Sequence, residues 1–148
     1  MSDITLVVED AQWREHRGLQ ARLKEAAQVA ARAVRLKGEI TILLADDARL
    51  KRLNHDFRGK RKATNVLSFP QAQGGDIAIA HGVVAREAKE QDKTVAAHAL
   101  HLVVHGVLHL AGYDHIAPDE AKVMEPLEVK ILKRLGIADP YMVAGGGK

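Results

Sequence analysis

The stretch from Thr94 to Ala111 constrains the fold of this chain more than any other. Thr94 is a good N-cap, and the residues that follow, VAAHALHLVVHGVLHL, are apolar or small on nearly every side once wound into a helix. A helix that is apolar nearly all round has to lie inside the molecule, so other elements must cover it. With 148 residues, 47% of them hydrophobic, the chain is the size of one domain with a real core. The flanking segments supply the cover. Residues 4–8 (ITLVV) and 39–45 (EITILLA) read as strands, and 66–69 and 76–80 as two more, separated by Pro70 and a turn at 71–75. Residues 12–37 place Leu19, Leu23, Ala26, Ala30 and Val34 at helical spacing, with Gly38 as the stop. Asp46 caps a second helix carrying Leu50, Leu53 and Phe57, which Gly59 ends. Residues 83–91 suggest a short helix. Pro118 opens a last one with Val123, Leu127, Ile131 and Leu135 on one face, stopped by Gly136. The order β-α-β-α-β-β-α-α-α predicts one α+β domain over residues 1–148. It has a mixed sheet of about four strands, a buried histidine-bearing helix at the centre and a loose tail at 144–148.

Composition removes whole classes of function. There is no cysteine, which excludes disulfides, thiolate-ligated zinc, iron–sulfur clusters and thiol nucleophiles. The first residues, MSDITLVVED, lack the basic start and apolar run of a secretory signal, and no apolar run approaches ~18 residues. A cytoplasmic protein without membrane contact is the expectation. Aromatic residues make up 3% of the chain, too few for a base-stacking platform. Charge is uneven: residues 1–62 hold fourteen basic and nine acidic side chains, the remainder eight and ten. Arg49, Lys51, Arg52, Arg58, Lys60, Arg61 and Lys62 form the densest run. It reads either as a solvated face or as a patch that contacts phosphates.

Of eight histidines, four lie between 98 and 109. In H105-G-V-L-H109-L-A-G112-Y-D-H115, His105 and His109 stack on one helix face, where both rings can grip one ion. Gly112 permits a left-handed exit from the helix, and His115 follows that turn as a third ligand. Three imidazoles leave a coordination position open, which is the pattern of catalytic rather than structural zinc. The spacing matches that of the metzincin proteases, H-E-x-x-H-x-x-G-x-x-H, except that the general-base glutamate is Gly106 here. His98 and His101 lie on the same stripe, within about 80° of the other two at ~100° per residue. His101 is a candidate partner behind the ligands or a polar group at the edge of the buried face. For His98 the second reading is preferred. Asp114 could accept an N–H from a ligand ring.

These residues carry a resemblance. HGVLHLAGYDH (105–115) looks like the histidine motif of the YbeY family of metal-dependent endoribonucleases. LNHDFRGK (53–60), TNVLSFP (64–70) and GDIAI (75–79) are similar to that family's remaining blocks, in the same order, and the tail LGIADPY is also typical. Asn65 stands where the family commonly has aspartate. The resemblance implies a mixed sheet with surrounding helices, one zinc-type ion on His105, His109 and His115, and Arg58 as a catalytic residue. It implies cleavage of single-stranded RNA in 16S rRNA 3′-end maturation and in ribosome quality control. The partners implied are the small ribosomal subunit, a small-subunit ribosomal protein and an Era-like GTPase, with no DNA. Lys60, Arg61 and Lys62 would hold neighbouring phosphates. Two rival readings stand beside it. A metalloprotease shares the spacing but lacks the glutamate. A non-enzymatic ribosome-assembly factor would close a structural metal with Asp114 or His101 as fourth ligand.

Overall fold

A computed structural model describes residues 2–58, 65–113 and 118–137. In chain order the elements are β1 (Ser2–Val8), a 3-10 turn (Ala11–Glu15), α1 (Leu19–Ala33), β2 (Gly38–Ala45), α2 (Asp47–Arg58) and β3 (Val66–Pro70). Then come β4 (Gly75–Ala80), α3 (His81–Glu90), α4 (Val95–Leu110) and α5 (Pro118–Arg134). The four strands form one sheet in the order β1-β2-β4-β3. β1, β2 and β4 run parallel, and β3 pairs antiparallel with β4. The predicted α+β class, mixed four-stranded sheet and element order all hold.

Register follows from which residues must be buried. Ile4 pairs with Ile40, Ile42 with Ile77 and Leu44 with Ile79, so the β-branched and leucine side chains share one face. That face packs against α1, α4 and α5 in the main core, which includes Leu19, Leu23, Leu100, Val103, Val107 and Met124. The other face, with Ala45, Leu67, Ala78 and Ala80, packs against Leu50 and Leu53 of α2. α4 is the central buried helix, as its composition requires: Leu100, Val103, Val104, Val107 and Leu108 are all at most 1% exposed. Full burial of each such side chain contributes about 1.5–3 kcal/mol. Packing of this kind, rather than the modest helix propensity of valine, stabilises the helix. Thr94 caps it, its hydroxyl accepting from the Ala97 N–H at 3.0 Å.

Three expectations need correction. The long helix expected over 12–37 is divided. A 3-10 turn, capped by Asp10, precedes the left-handed Gly18 (φ +75°), and α1 starts only at Leu19. α1 also ends before Gly38: Arg35 takes the left-handed position (φ 57°), and the Leu36 N–H reaches back to the Ala31 carbonyl at 2.8 Å. The helix expected from residue 83 begins at His81, directly after β4. On α5 the buried stripe is Met124, Glu128, Ile131 and Leu132, while Val123 is 59% exposed. The stripe sits about 100° around the helix from Val123, one residue's rotation.

Candidate metal centre on helix α4

The histidine stripe is real and lies along one face of α4. Ring centroids step by 6.0 Å from His98 to His101, 6.2 Å to His105 and 4.4 Å to His109. At the C-terminal end the Nε2 atoms of His105 and His109 face each other at 2.8 Å. The helix leaves that end as the glycine predicts. Gly112 has φ +98°, its N–H bonds the His109 carbonyl at 3.0 Å, and the Tyr113 N–H bonds the Leu108 carbonyl at 3.0 Å. His115 and Asp114 lie outside the described residues, as do Lys60, Arg61, Lys62 and the tail at 144–148. Arg58 is the last residue of α2, and its side chain lies outside them too.

Sequence reasoning missed Glu128. Its side chain is wholly buried and takes both histidines behind the pair: His105 Nδ1–H donates to Oε1 at 3.1 Å and His101 Nε2–H to Oε2 at 2.9 Å. Burial alone would push this carboxyl up. The hydrogen bonds from His101 and His105, with the charges of those rings, outweigh it and pull the pKa down to about 2. The carboxylate therefore stays ionised and fixes a proton on Nδ1 of His105, so that in the neutral ring the lone pair lies on Nε2, facing His109. The clue was in the sequence. Met124, Glu128, Ile131 and Leu135 follow the i, i+4, i+7, i+11 rule of a buried face, and a glutamate in the middle of such a face needs a partner. His101, expected either behind the ligands or as a polar group at the edge of the buried face, hydrogen-bonds this same carboxylate.

The donor atoms of His101, His105 and Glu128 lie within 4.8 Å of one another and could hold a cation. Imidazole and carboxylate together suit a borderline transition ion. His105 thus offers two sides. Its Nδ1 side, with His101 and Glu128, is closed by protein, and Glu128 has no exposure at all. Its Nε2 side faces His109, and both rings there are part-buried.

At the other end of the stripe His98 is 3% exposed, and its Nε2–H donates to Glu87 Oε1 at 2.8 Å. Asn65 donates its amide to the same oxygen at 3.0 Å. Aspartate at that position would set a second carboxylate against Glu87, so the asparagine found here suits its neighbour. Gly106 faces the sheet. A Cβ there would lie 3.1 Å from Ile77 Cδ1, and its carbonyl accepts from the Ser68 hydroxyl at 3.2 Å. The position that carries the proteases' base is here pressed against β4.

Comparison with known proteins fits this arrangement. A family model described as Endoribonuclease YbeY matches residues 7–136. The chain belongs to the YbeY family. Among its relatives, the Endoribonuclease YbeY of Maricaulis maris (strain MCS10) is 46% identical over 148 residues, covering 95% of this chain and 92% of the relative. That of Aromatoleum aromaticum is 44% identical over 144 residues, covering 95% and 94%. A Thermotoga maritima protein solved in solution shares the fold over the full length of both chains, with a TM-score of 0.55 and 24% identity. No helix among the described residues of this YbeY-family chain is long and apolar enough to cross a membrane.

Proposed function

We propose that the chain is a metal-dependent endoribonuclease that hydrolyses phosphodiester bonds of single-stranded RNA. The observation that carries this is the facing His105–His109 pair, backed by the buried Glu128, in a chain of the YbeY family. His105, His109 and His115 would hold one ion of zinc type. When bound, such an ion supplies Lewis acidity, lowering the pKa of water toward ~7 and drawing charge from a phosphoryl oxygen. The chain's own groups do the rest. Glu128 holds the His105 ring in the ligating tautomer. Arg58, at the end of α2, neutralises charge that develops on the phosphate. Lys60, Arg61 and Lys62 hold flanking phosphates and set no base preference. Specificity for the 16S rRNA 3′ end, and a part in ribosome quality control, would then come from partners: the small subunit, one of its proteins and an Era-like GTPase. The site of action would be the cytoplasm.

Purified chain, with and without chelator, incubated with an rRNA 3′-end fragment, tests the reading. Chelator should abolish cleavage, and His109→Ala should lose both the tightly held ion and the activity. Absence of RNA cleavage by metal-replete protein overturns it, and cleavage of casein would point to a protease. A second reading, a structural metal on His101, His105 and Glu128, rests on their proximity. It predicts that the ion survives His109→Ala. Arg58→Ala should lower the single-turnover rate on saturating RNA by ~10²–10³, poorly rescued by lysine. Loss of Lys60, Arg61 or Lys62 should instead weaken binding and flatten its salt dependence by ~1 unit of slope per phosphate contact.

A further inference from the structure

A second pair of imidazoles faces across the opposite edge of the sheet. Because β1, β2 and β4 are parallel, their carboxyl ends meet at one edge, and the segments that leave them come together there. His16 follows the 3-10 turn after β1, and His81 is the first residue of α3 after β4. Their Nε2 atoms lie 2.8 Å apart, the same separation as in the His105–His109 pair. The two pairs are far from each other. Leu110, next to His109, packs at Gly75, where β4 begins, whereas His81 stands where β4 ends. Six residues at about 3.3 Å each put roughly 20 Å between those points.

The rings are held in place from behind. Trp13 is fully buried, donates its indole N–H to the Ala45 carbonyl at 2.9 Å and meets the His81 ring edge-on at 5.0 Å. His81 is 7% exposed, while His16 is only half-buried, so solvent reaches the pair from one side. Burial and the neighbouring His16 hold the His81 pKa down, and nearby carboxylates oppose this only in part. Asp10, Glu15 and Asp47 all act on His81 through their charges. Asp47 is itself engaged, accepting from the Val83 N–H at 2.9 Å and from Arg86 at 2.9 Å, so it contributes field rather than a free donor. A hydrogen bond between two neutral rings would account for the contact distance. A cation would also use the lone pair of the second ring and the negative charge of Asp47 nearby.

We propose that His16 and His81 form a second cation site, for a borderline transition ion such as Zn2+ or Ni2+, separate from the centre on α4. Two imidazoles with solvent completing the shell make a weaker site than the α4 centre. The ion pins the turn after β1 to the start of α3, elements 65 residues apart in sequence. Because it binds the folded chain, it raises the melting temperature.

The test is metal counting by native mass spectrometry, with thermal melts, on full-length chain stripped of metal and titrated with Zn2+ or Ni2+ alone. Wild type should take two equivalents. His16→Gln, a change at a half-buried surface residue, should lose the weaker one, keep the tighter one and cleave RNA as before. His109→Ala should keep the equivalent that His16→Gln loses. At hundredfold excess over its Kd, the weaker ion should raise Tm by roughly 5–10 °C, a rise absent in His16→Gln. A metal count in His16→Gln equal to that of wild type overturns the proposal, whatever the α4 helix holds. That result does not bear on RNA cleavage, which depends on the other pair.

Discussion

Two histidine pairs with the same 2.8 Å contact stand at opposite edges of one sheet, and what lies behind each differs. His105 is held by a carboxylate with no exposure, supplied by another helix. His81 is held by an apolar indole, with carboxylates near it but none bonded to it. The first arrangement fixes a tautomer and supplies a permanent negative charge inside the protein. The second fixes only a ring plane. Convergent ring nitrogens are enough to attract a cation. A buried hydrogen-bonding carboxylate is what orients a ligand for chemistry.

The largest effect should come from removing that carboxylate. Glu128→Ala leaves His101 and His105 without their shared acceptor in the interior, and breaking a buried charged network of this kind costs about 3–5 kcal/mol. Denaturant melts should show it. Glu128→Gln keeps the volume and can still accept, so it should unfold less readily than the alanine variant while binding the α4 ion about 10–100-fold more weakly. At the other edge, Trp13→Phe should leave ion binding at His16 and His81 within a few-fold, because no tautomer depends on it. Equal losses of affinity in Glu128→Gln and Trp13→Phe would erase the distinction between the two pairs.

A smaller test uses the glycine that follows a histidine in each pair, His105-Gly106 and His81-Gly82. A Cβ at Gly106 presses on Ile77 at 3.1 Å, inside the core. A Cβ at Gly82 meets the Asp47 carboxylate at 2.6 Å, a group that can swing away at the expense of its bond to Val83. Each alanine substitution should cost about 1 kcal/mol, after the helix-propensity gain is set against overpacking or a lost cap. The costs differ in kind. Gly82→Ala should cost nothing once Asp47→Ala is present, whereas Gly106→Ala should be indifferent to Asp47, as a double-mutant cycle on urea midpoints would show.

Much of this was legible in the sequence because period and punctuation carry it. The alternation and length of the strands, the caps Asp46 and Thr94, and the all-round apolar α4 each have a local cause, and each element appears where it was placed. The division before α1 was not legible. Residues 12–17 keep helical composition, and they form a separate turn where Gly18 takes the left-handed position and Trp13 reaches the Ala45 carbonyl. The site divided in the same way. The i, i+4 spacing placed His105 and His109 together, since one helix suffices for that. Glu128 and the His16–His81 pair depend on which elements meet in space. For Glu128 the pattern held a clue in the stripe of α5, whereas nothing in the local sequence joins His16 to His81.

The smallest effect separates proton uptake from cation binding, with His98 as control. It lies on the same stripe and is more buried than His81, but its Nε2 faces a carboxylate and not a second ring nitrogen. Burial holds its pKa below the ordinary 6.5. The hydrogen bond and charge of Glu87 offset this in part, and His101 and Lys93 add to the lowering. The unfolded chain therefore takes up a proton near pH 6.5 while the folded chain still resists it. The stabilisation is complete above that pH and is lost as pH falls toward the lowered folded value. The slope is at most about 1.4 kcal/mol per pH unit. His98→Gln keeps a donor for Glu87 and removes the titration, so its stability should fall less steeply than that of wild type as pH drops below about 6.5. Its metal count should be unchanged at both edges. Parallel pH profiles for the two proteins would show that His98 is not the group that resists protonation. A lost metal equivalent would show that ion binding extends along the stripe beyond the facing pair.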